Sequence, residues 1–229
     1  MKKFWNWKNE NQKERILELD GTIAEESWFD DDITPNMFKE ELFKGEGPIT
    51  IWINSPGGDT VAASRIYSML VDYKGSVTVK IDGLAASAAS VIAMAGTKVL
   101  MAPTALMMIH NPATGAFGDH NELNQAIKLL EEVKESIINA YEIKTKLSRE
   151  TISKMMENET WMNAKKAIEL GFADGLIEDE KHSVGDNSYI FSSREFDSIL
   201  YNKIKEKEVA TGRSVKDLKN ELNKIKKYL

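Results

Sequence analysis

Two short segments carry side chains able to do chemistry together. Gly83-Leu84-Ala85-Ala86-Ser87-Ala88-Ala89-Ser90 sets a serine in a run of tiny side chains, and Met107-Met108-Ile109-His110-Asn111-Pro112 sets a histidine after an apolar, strand-like stretch. Upstream, Asn54-Ser55-Pro56-Gly57-Gly58-Asp59 is a glycine turn closing another apolar run. A serine hydroxyl is a weak nucleophile near neutral pH unless a base lies in hydrogen-bond reach and a third group orients that base. Consecutive glycines admit positive φ and let backbone approach a ligand closely. One N–H from that turn and one beside Ser87 could then hold an oxyanion. These are the parts of a serine peptidase. Each also has a plainer reading: Ser87 satisfying a helix start, His110 as a core histidine, Gly57-Gly58 as a tight strand-to-helix turn. Their combination favours chemistry. His120 and His182 lie in polar surroundings and read as surface residues.

The elements that must position these groups are legible in the hydrophobic pattern. Residues 1–14 are polar with a few aromatics and read as a flexible segment. Arg15 to Asp20 reads as a strand ending at Gly21, Asn36 to Phe43 as a short helix, and Ile49 to Ile53 as a strand. Thr60 to Asp72 has Ala63, Ile66, Tyr67 and Leu70 on one helical face. Val77 to Ile81 is the next strand. Ala85 to Ala95 reads as a buried helix, and Lys98 to Ala102 and Ala105 to Ile109 as further strands. This alternation implies an α/β fold with right-handed crossovers. Ala113 to Gly118 is a glycine-rich connection. A long helix follows from Asn121 to Thr145, with Leu123, Ile127, Leu130, Val133, Ile137 and Tyr141 in one stripe and Leu129, Ile138 and Ile143 in a second. A helix apolar on two faces points to oligomer contact. Asn163 reads as the N-cap of a short helix ending at Gly171.

Composition bounds the rest. At 229 residues with 42% hydrophobic residues, the chain fits one domain with an appendage. A net charge of −6 with no dominant basic patch argues against nucleic-acid binding outside the Lys-rich tail. The absence of cysteine removes disulfides, thiolate catalysis and Cys-type zinc sites. The first residues lack the apolar core of a signal peptide, and the apolar stretch Val91–Met108 is interrupted by Gly96, Lys98 and Pro103. The expectation is a soluble, cytoplasmic protein. The domain is expected over residues 15–178, followed by a linker and a charged amphipathic helical tail over 179–229.

The segments Ile53 to Gly58, Gly83 to Ser87 and Met108 to Pro112, in this order and at these spacings, resemble the ClpP family, the proteolytic subunits of Clp proteases. Glu159-Thr160-Trp161-Met162-Asn163-Ala164, with Ala167 to Asp174, is similar to that family's closing segment. The resemblance spans about Arg15 to Ile177. It implies the ClpP/crotonase spiral of βαβ units, with the helix from Asn121 as a protruding handle through which two rings meet. Ser87 would be the nucleophile, His110 the general base, and the Gly58 and Ala88 N–H groups the oxyanion hole. Gly57 and the segment Gly115, Ala116 and Phe117 would align a polypeptide substrate by strand addition. No metal or organic cofactor is implied. The assembly would be heptameric rings stacked in pairs as a tetradecamer around an enclosed chamber.

The chain departs from the family pattern in three places. The family's triad aspartate aligns with Glu159, whose extra methylene moves the carboxylate; Asp174 is the fallback, and a Ser–His dyad the alternative. Of the aromatic positions that help family members dock an ATPase, Trp52 keeps one while Thr50 stands where tyrosine is common, leaving the need for a Clp ATPase open. The sequence also continues well past the usual end of the family, and its N-terminal segment lacks the usual loop sequence. The segment beginning Glu159-Thr160-Trp161-Met162 is similar to ClpP-like proteases of phages and prophages, which implies capsid or scaffold proteins as substrates in head maturation. Two other readings stay open: a crotonase-type acyl-CoA enzyme, and a catalytically weak assembly protein with the same fold.

Overall fold

The computed structural model describes residues 4–8, 15–23 and 35–177. At its centre, β3 (Ile49–Ser55) and β4 (Val77–Ala86) run parallel, with Ile51, Ile53, Val79 and Ile81 fully buried. β-branched residues suit a pleated strand buried on both faces. β2 (Arg15–Asp20) adds in parallel to β3, and β1 (Trp5–Lys8) pairs antiparallel to β2. On the other side of β4 lie β5 (Lys98–Met101) and β8 (Gly175–Leu176), both parallel. α2 (Thr60–Asp72) makes the crossover from β3 to β4, its N-cap Asp59 accepting from Ala62 N, and turns Ala62, Ala63, Ile66 and Leu70 into the core. No helix among the described residues is long and apolar enough to cross a membrane.

The decisive irregularity is in β4. Between the pairs Ile53↔Ile81 and Ser55↔Ala85 the register shifts, so that Asn54 faces three residues of β4. Gly83 sits in this bulge, where an added Cβ would lie 2.6 Å from Asn54 Oδ1. Bulges bend a strand and change its neighbours. Before the bulge β4 pairs with β5; after it, Leu84, Ala85 and Ala86 pair with β6 (Leu106–Ile109). β6 in turn pairs antiparallel with β7 (Thr160–Asn163). The sequence suggests a helix over Ala85–Ala95, but the strand continues to Ala86 and α3 occupies only Ala88–Ala93. Alanine's helix propensity is overridden because β6 supplies ladder partners to the backbone of residues 84–86.

The N-terminal expectation also needs correction. Residues 4–8 are not a free segment, because Phe4 and Trp5 are buried and Trp5 packs edge-on against Phe38 of α1 (Pro35–Phe43) at 5.6 Å. Alternating Trp5 and Trp7 in Phe-Trp-Asn-Trp-Lys is a period-two signal short enough to miss. Arg15, also buried, donates to the Glu41, Leu42 and Gly45 carbonyls at the end of α1 and lies 4.3 Å from the Trp7 ring.

α4 (His120–Thr145) is a helix about 39 Å long. It opens on a capping box between Asp119 and Glu122 and ends at Lys146, which has φ 62°. Its C-terminal half packs on the domain, with Ile137, Ile138, Ala140 and Tyr141 buried and Val133 partly so. Leu123, Ile127 and Leu129 are left exposed. α5 (Arg149–Glu157) and α6 (Ala164–Glu169) follow, the latter capped by Asn163 as expected. The expected linker and helical tail over 179–229 lie outside the described residues.

Candidate active site

β4 ends at Ala86, and the chain turns through Ser87 into α3 with φ 53° and ψ −125°. This is a sparsely populated conformation of the kind found where a nucleophile is thrust out at a strand-to-helix turn. Ser87 N–H donates to the Met108 carbonyl at 2.9 Å, tying the turn to β6. His110 immediately follows β6, and its Nε2 lies 2.7 Å from Ser87 Oγ. Both residues are half-buried, held by packing yet open on one side. Ser87 occupies the N-cap of α3, but its hydroxyl makes no capping hydrogen bond. The plainer reading of that serine is thereby disfavoured: the Oγ is directed to the imidazole.

The glycine turn presses against this bend. An added Cβ at Gly57 would lie 2.7 Å from Ser87 Cβ and 3.0 Å from Ala88 N. Gly57 has φ 98° and Gly58 φ 147°, so both occupy backbone regions that favour glycine. Ile23 holds the turn from behind: its N–H donates to the Gly57 carbonyl and its carbonyl accepts from Asp59 N–H, each at 2.9 Å. In a parallel bridge of this kind the middle residue, Gly58, directs its own N–H to the opposite side. Ala88 opens α3, and first-turn N–H groups have no partner within their helix. Buried Ser55 steadies the turn, accepting from Gly57 N–H at 3.1 Å and donating to the Gly21 carbonyl at 2.6 Å.

The acids are placed differently. β6 and β7 end on the pair Ile109↔Thr160, so the next position in register sets Glu159 opposite His110. Glu159 has φ 47° and an exposed side chain. Its carboxylate accepts from Trp161 Nε1 at 2.9 Å, and it makes no hydrogen bond to His110. Asp174 is committed elsewhere: Oδ2 accepts from Val99 N–H at 2.6 Å and from Lys144 Nζ at 2.7 Å, joining β5 to α4. Gly115, Ala116 and Phe117 lie in the exposed segment between His110 and α4, with Phe117 97% exposed. Beside that segment a cavity of about 300 Å³ is lined by Asn111, Pro112, Ile127, Leu130, Glu131 and Lys134.

Sequence reasoning missed the second layer of the site. Ser55, Ser90 and Tyr141 are buried polar groups around Ser87 and the glycine turn. The available signal was a hydroxyl in an otherwise apolar run, since a buried polar group must find a partner.

Comparison with known proteins gives the family. The Clp protease family model matches residues 3–180, reaching further toward the N-terminus than the motifs suggest. The chain is 31% identical over 175 residues to the ATP-dependent Clp protease proteolytic subunit of Ligilactobacillus salivarius, covering 74% of this chain and 86% of that protein. It is 32% identical over 178 residues to the proteolytic subunit of Bdellovibrio bacteriovorus, covering 76% and 83%. It is 33% identical over 141 residues to proteolytic subunit 1 of Chlamydia muridarum, covering 60% and 73%. With an α/β core, a serine–histidine pair and a family match over most of its length, the chain belongs to the Clp protease family, a family of serine peptidases.

Proposed function

We propose that this protein is a serine endopeptidase that hydrolyses polypeptides within an oligomeric chamber. The observation that carries the reading is the 2.7 Å approach of His110 Nε2 to a Ser87 hydroxyl free of any capping bond. Ser87 Oγ attacks the scissile carbonyl carbon and its proton passes to His110 Nε2. The resulting oxyanion is held by the Gly58 and Ala88 N–H groups. Collapse of the intermediate breaks the C–N bond, and His110 returns its proton to the leaving amine. Water then attacks the acyl-enzyme with His110 again the base, releasing the carboxylate product and restoring Ser87. The exposed stretch Gly115–Phe117, together with Gly57 beside Ser87, aligns the substrate backbone. The neighbouring cavity takes an apolar substrate side chain between Pro112, Ile127 and Leu130.

Glu159 serves as the third member, its carboxylate turning from Trp161 to the imidazole. Its support is the register that sets it opposite His110. Glu159→Gln is expected to lower kcat/KM about 100-fold with KM little changed, because an orienting acid fixes the tautomer and stabilises the imidazolium. Undiminished peptide turnover by this variant would make the enzyme a Ser–His dyad.

The exposed apolar residues of α4 support its use as a ring-to-ring contact in stacked heptamers. Relatives named as ATP-dependent support a Clp ATPase as the source of unfolded protein, while short peptides need none. The closing segment from Glu159 to Ala164 supports kinship with phage proteases, with capsid or scaffold proteins as substrates.

Intact mass after treatment with a fluorophosphonate tests the chemistry. One adduct on the wild type and none on Ser87→Ala is the expected result. No adduct on either, in a sample shown to be oligomeric, would exclude a constitutive peptidase.

A further inference from the structure

Ser90 and Tyr141 form a buried polar pair behind the nucleophile. Ser90 is 0% exposed and Tyr141 1%. The Ser87 carbonyl oxygen receives two hydrogen bonds from one residue, from Ser90 Oγ at 2.6 Å and from Ser90 N–H at 2.9 Å. A serine hydroxyl has a single proton, and here it is directed to that carbonyl. The 2.7 Å contact between Ser90 Oγ and the Tyr141 hydroxyl must therefore run from tyrosine to serine. Burial pushes the Tyr141 phenol well above the usual tyrosine range, so it remains a donor wherever a serine–histidine pair is active. Tyr141 is itself fixed on α4, edge-on to Phe172 with ring centres 5.5 Å apart.

The Ser87 carbonyl shares a peptide unit with the Ala88 N–H. That unit is planar and trans, so the two groups point in opposite directions. Anchoring the oxygen therefore aims the N–H. The anchor matters at this bend, because φ 53° and ψ −125° at Ser87 are sparsely populated and the peptide would otherwise relax by rotation.

We propose that Ser90 and Tyr141 are positioning residues for the oxyanion hole: a hydrogen-bond relay from α4 to the Ser87 carbonyl holds the Ala88 N–H on the developing oxyanion. The inference rests on the peptidase reading above and adds a coupling to it. The last turns of α4 become part of the catalytic scaffold, so a displacement of that helix reaches the donor.

The oxyanion exists only after attack, so a misaimed donor lowers kcat and leaves KM alone. Tyr141→Phe keeps the ring and its packing and removes the donor. In the full-length assembled protein, its kcat for a short peptide is expected to fall about 5–30-fold, with KM within about twofold, since loss of a whole oxyanion donor typically costs more. The fluorophosphonate labelling rate should fall in parallel. Ser90→Ala should show a comparable loss, and the double variant little beyond the larger single loss, as members of one relay are not additive. A wild-type kcat for Tyr141→Phe overturns the proposal. So does a loss explained wholly by less folded or assembled protein, with the rate per assembled site unchanged. A wild type that takes no adduct would instead overturn the peptidase reading on which the relay rests.

Discussion

His110→Ala is expected to reduce kcat/KM for a short peptide by about four to six orders of magnitude, and Ser87→Ala by as much. In the proposed mechanism each is half of one proton-transfer unit, and the two side chains lie 2.7 Å apart. Without the imidazole, the hydroxyl keeps its proton and attacks poorly. Without the hydroxyl, the imidazole has no nucleophile to activate. The double variant should be no worse than either single one, because the second substitution removes a part that has already lost its use. Residual turnover would come from the oxyanion donors and from binding alone. Steady-state hydrolysis of a fluorogenic peptide by the three variants, each purified away from host peptidases, is the measurement. Retention of more than about a hundredth of wild-type kcat/KM by His110→Ala would remove it from the role of general base.

Gly58→Ala is expected to carry the second-largest effect, and it acts on both stability and rate. A Cβ there would overlap the Ile23 carbonyl oxygen and lie 2.9 Å from the Ile23 backbone C and N. The obstacle is backbone that is also bonded to Gly57 and Asp59, so it cannot swing aside as a side chain could. Backbone strain at φ 147° adds to the overlap. Together they should destabilise the fold by about 2–5 kcal/mol. In the fraction that remains folded, displacement of the Gly58 N–H should slow acylation about 100-fold or more. Gly21→Ala separates the two causes: Gly21 has φ 92° with nothing within 4 Å of an added Cβ, so it carries backbone strain alone, about 1 kcal/mol. Thermal unfolding of both variants beside the wild type is the test. An unchanged midpoint for Gly58→Ala would mean that the Ile23 bridge yields and does not hold the turn.

Much of the framework was legible because its signals are local. Thr60–Asp72 shows its helical face within a few turns, and Ile49–Ile53 its β-branched run, so both appear at nearly their observed bounds. Asn163 announces a cap because capping is decided within three residues. The alanine run from Ala85 misled for the complementary reason. Whether small residues extend a strand or start a helix depends on what lies beside them, and here β6 lies beside them. β7 carries a weak local signal and exists through its pairing with β6. α5 is a different case, because its signals are local: Ser148 caps it, Glu150 pairs with Lys154 one turn on, and Ile152 and Met156 share its buried face.

The available chemistry could be read from the order of residues along the chain: a serine, a histidine and a glycine turn in the order of a peptidase family, with no thiol to compete. Residue type and spacing along the chain are sufficient for that. Which groups meet was set by the folded chain. It brought Ser87 to 2.7 Å from His110, set Glu159 in register with the histidine but bonded to Trp161, and tied Asp174 to β5 and α4. It also joined Ser90 to Tyr141 across 51 positions. The physical reason is that hydrogen bonds act over about 3 Å in space, and positions far apart in sequence reach that distance only once a strand register, a bulge and a helix packing have been set.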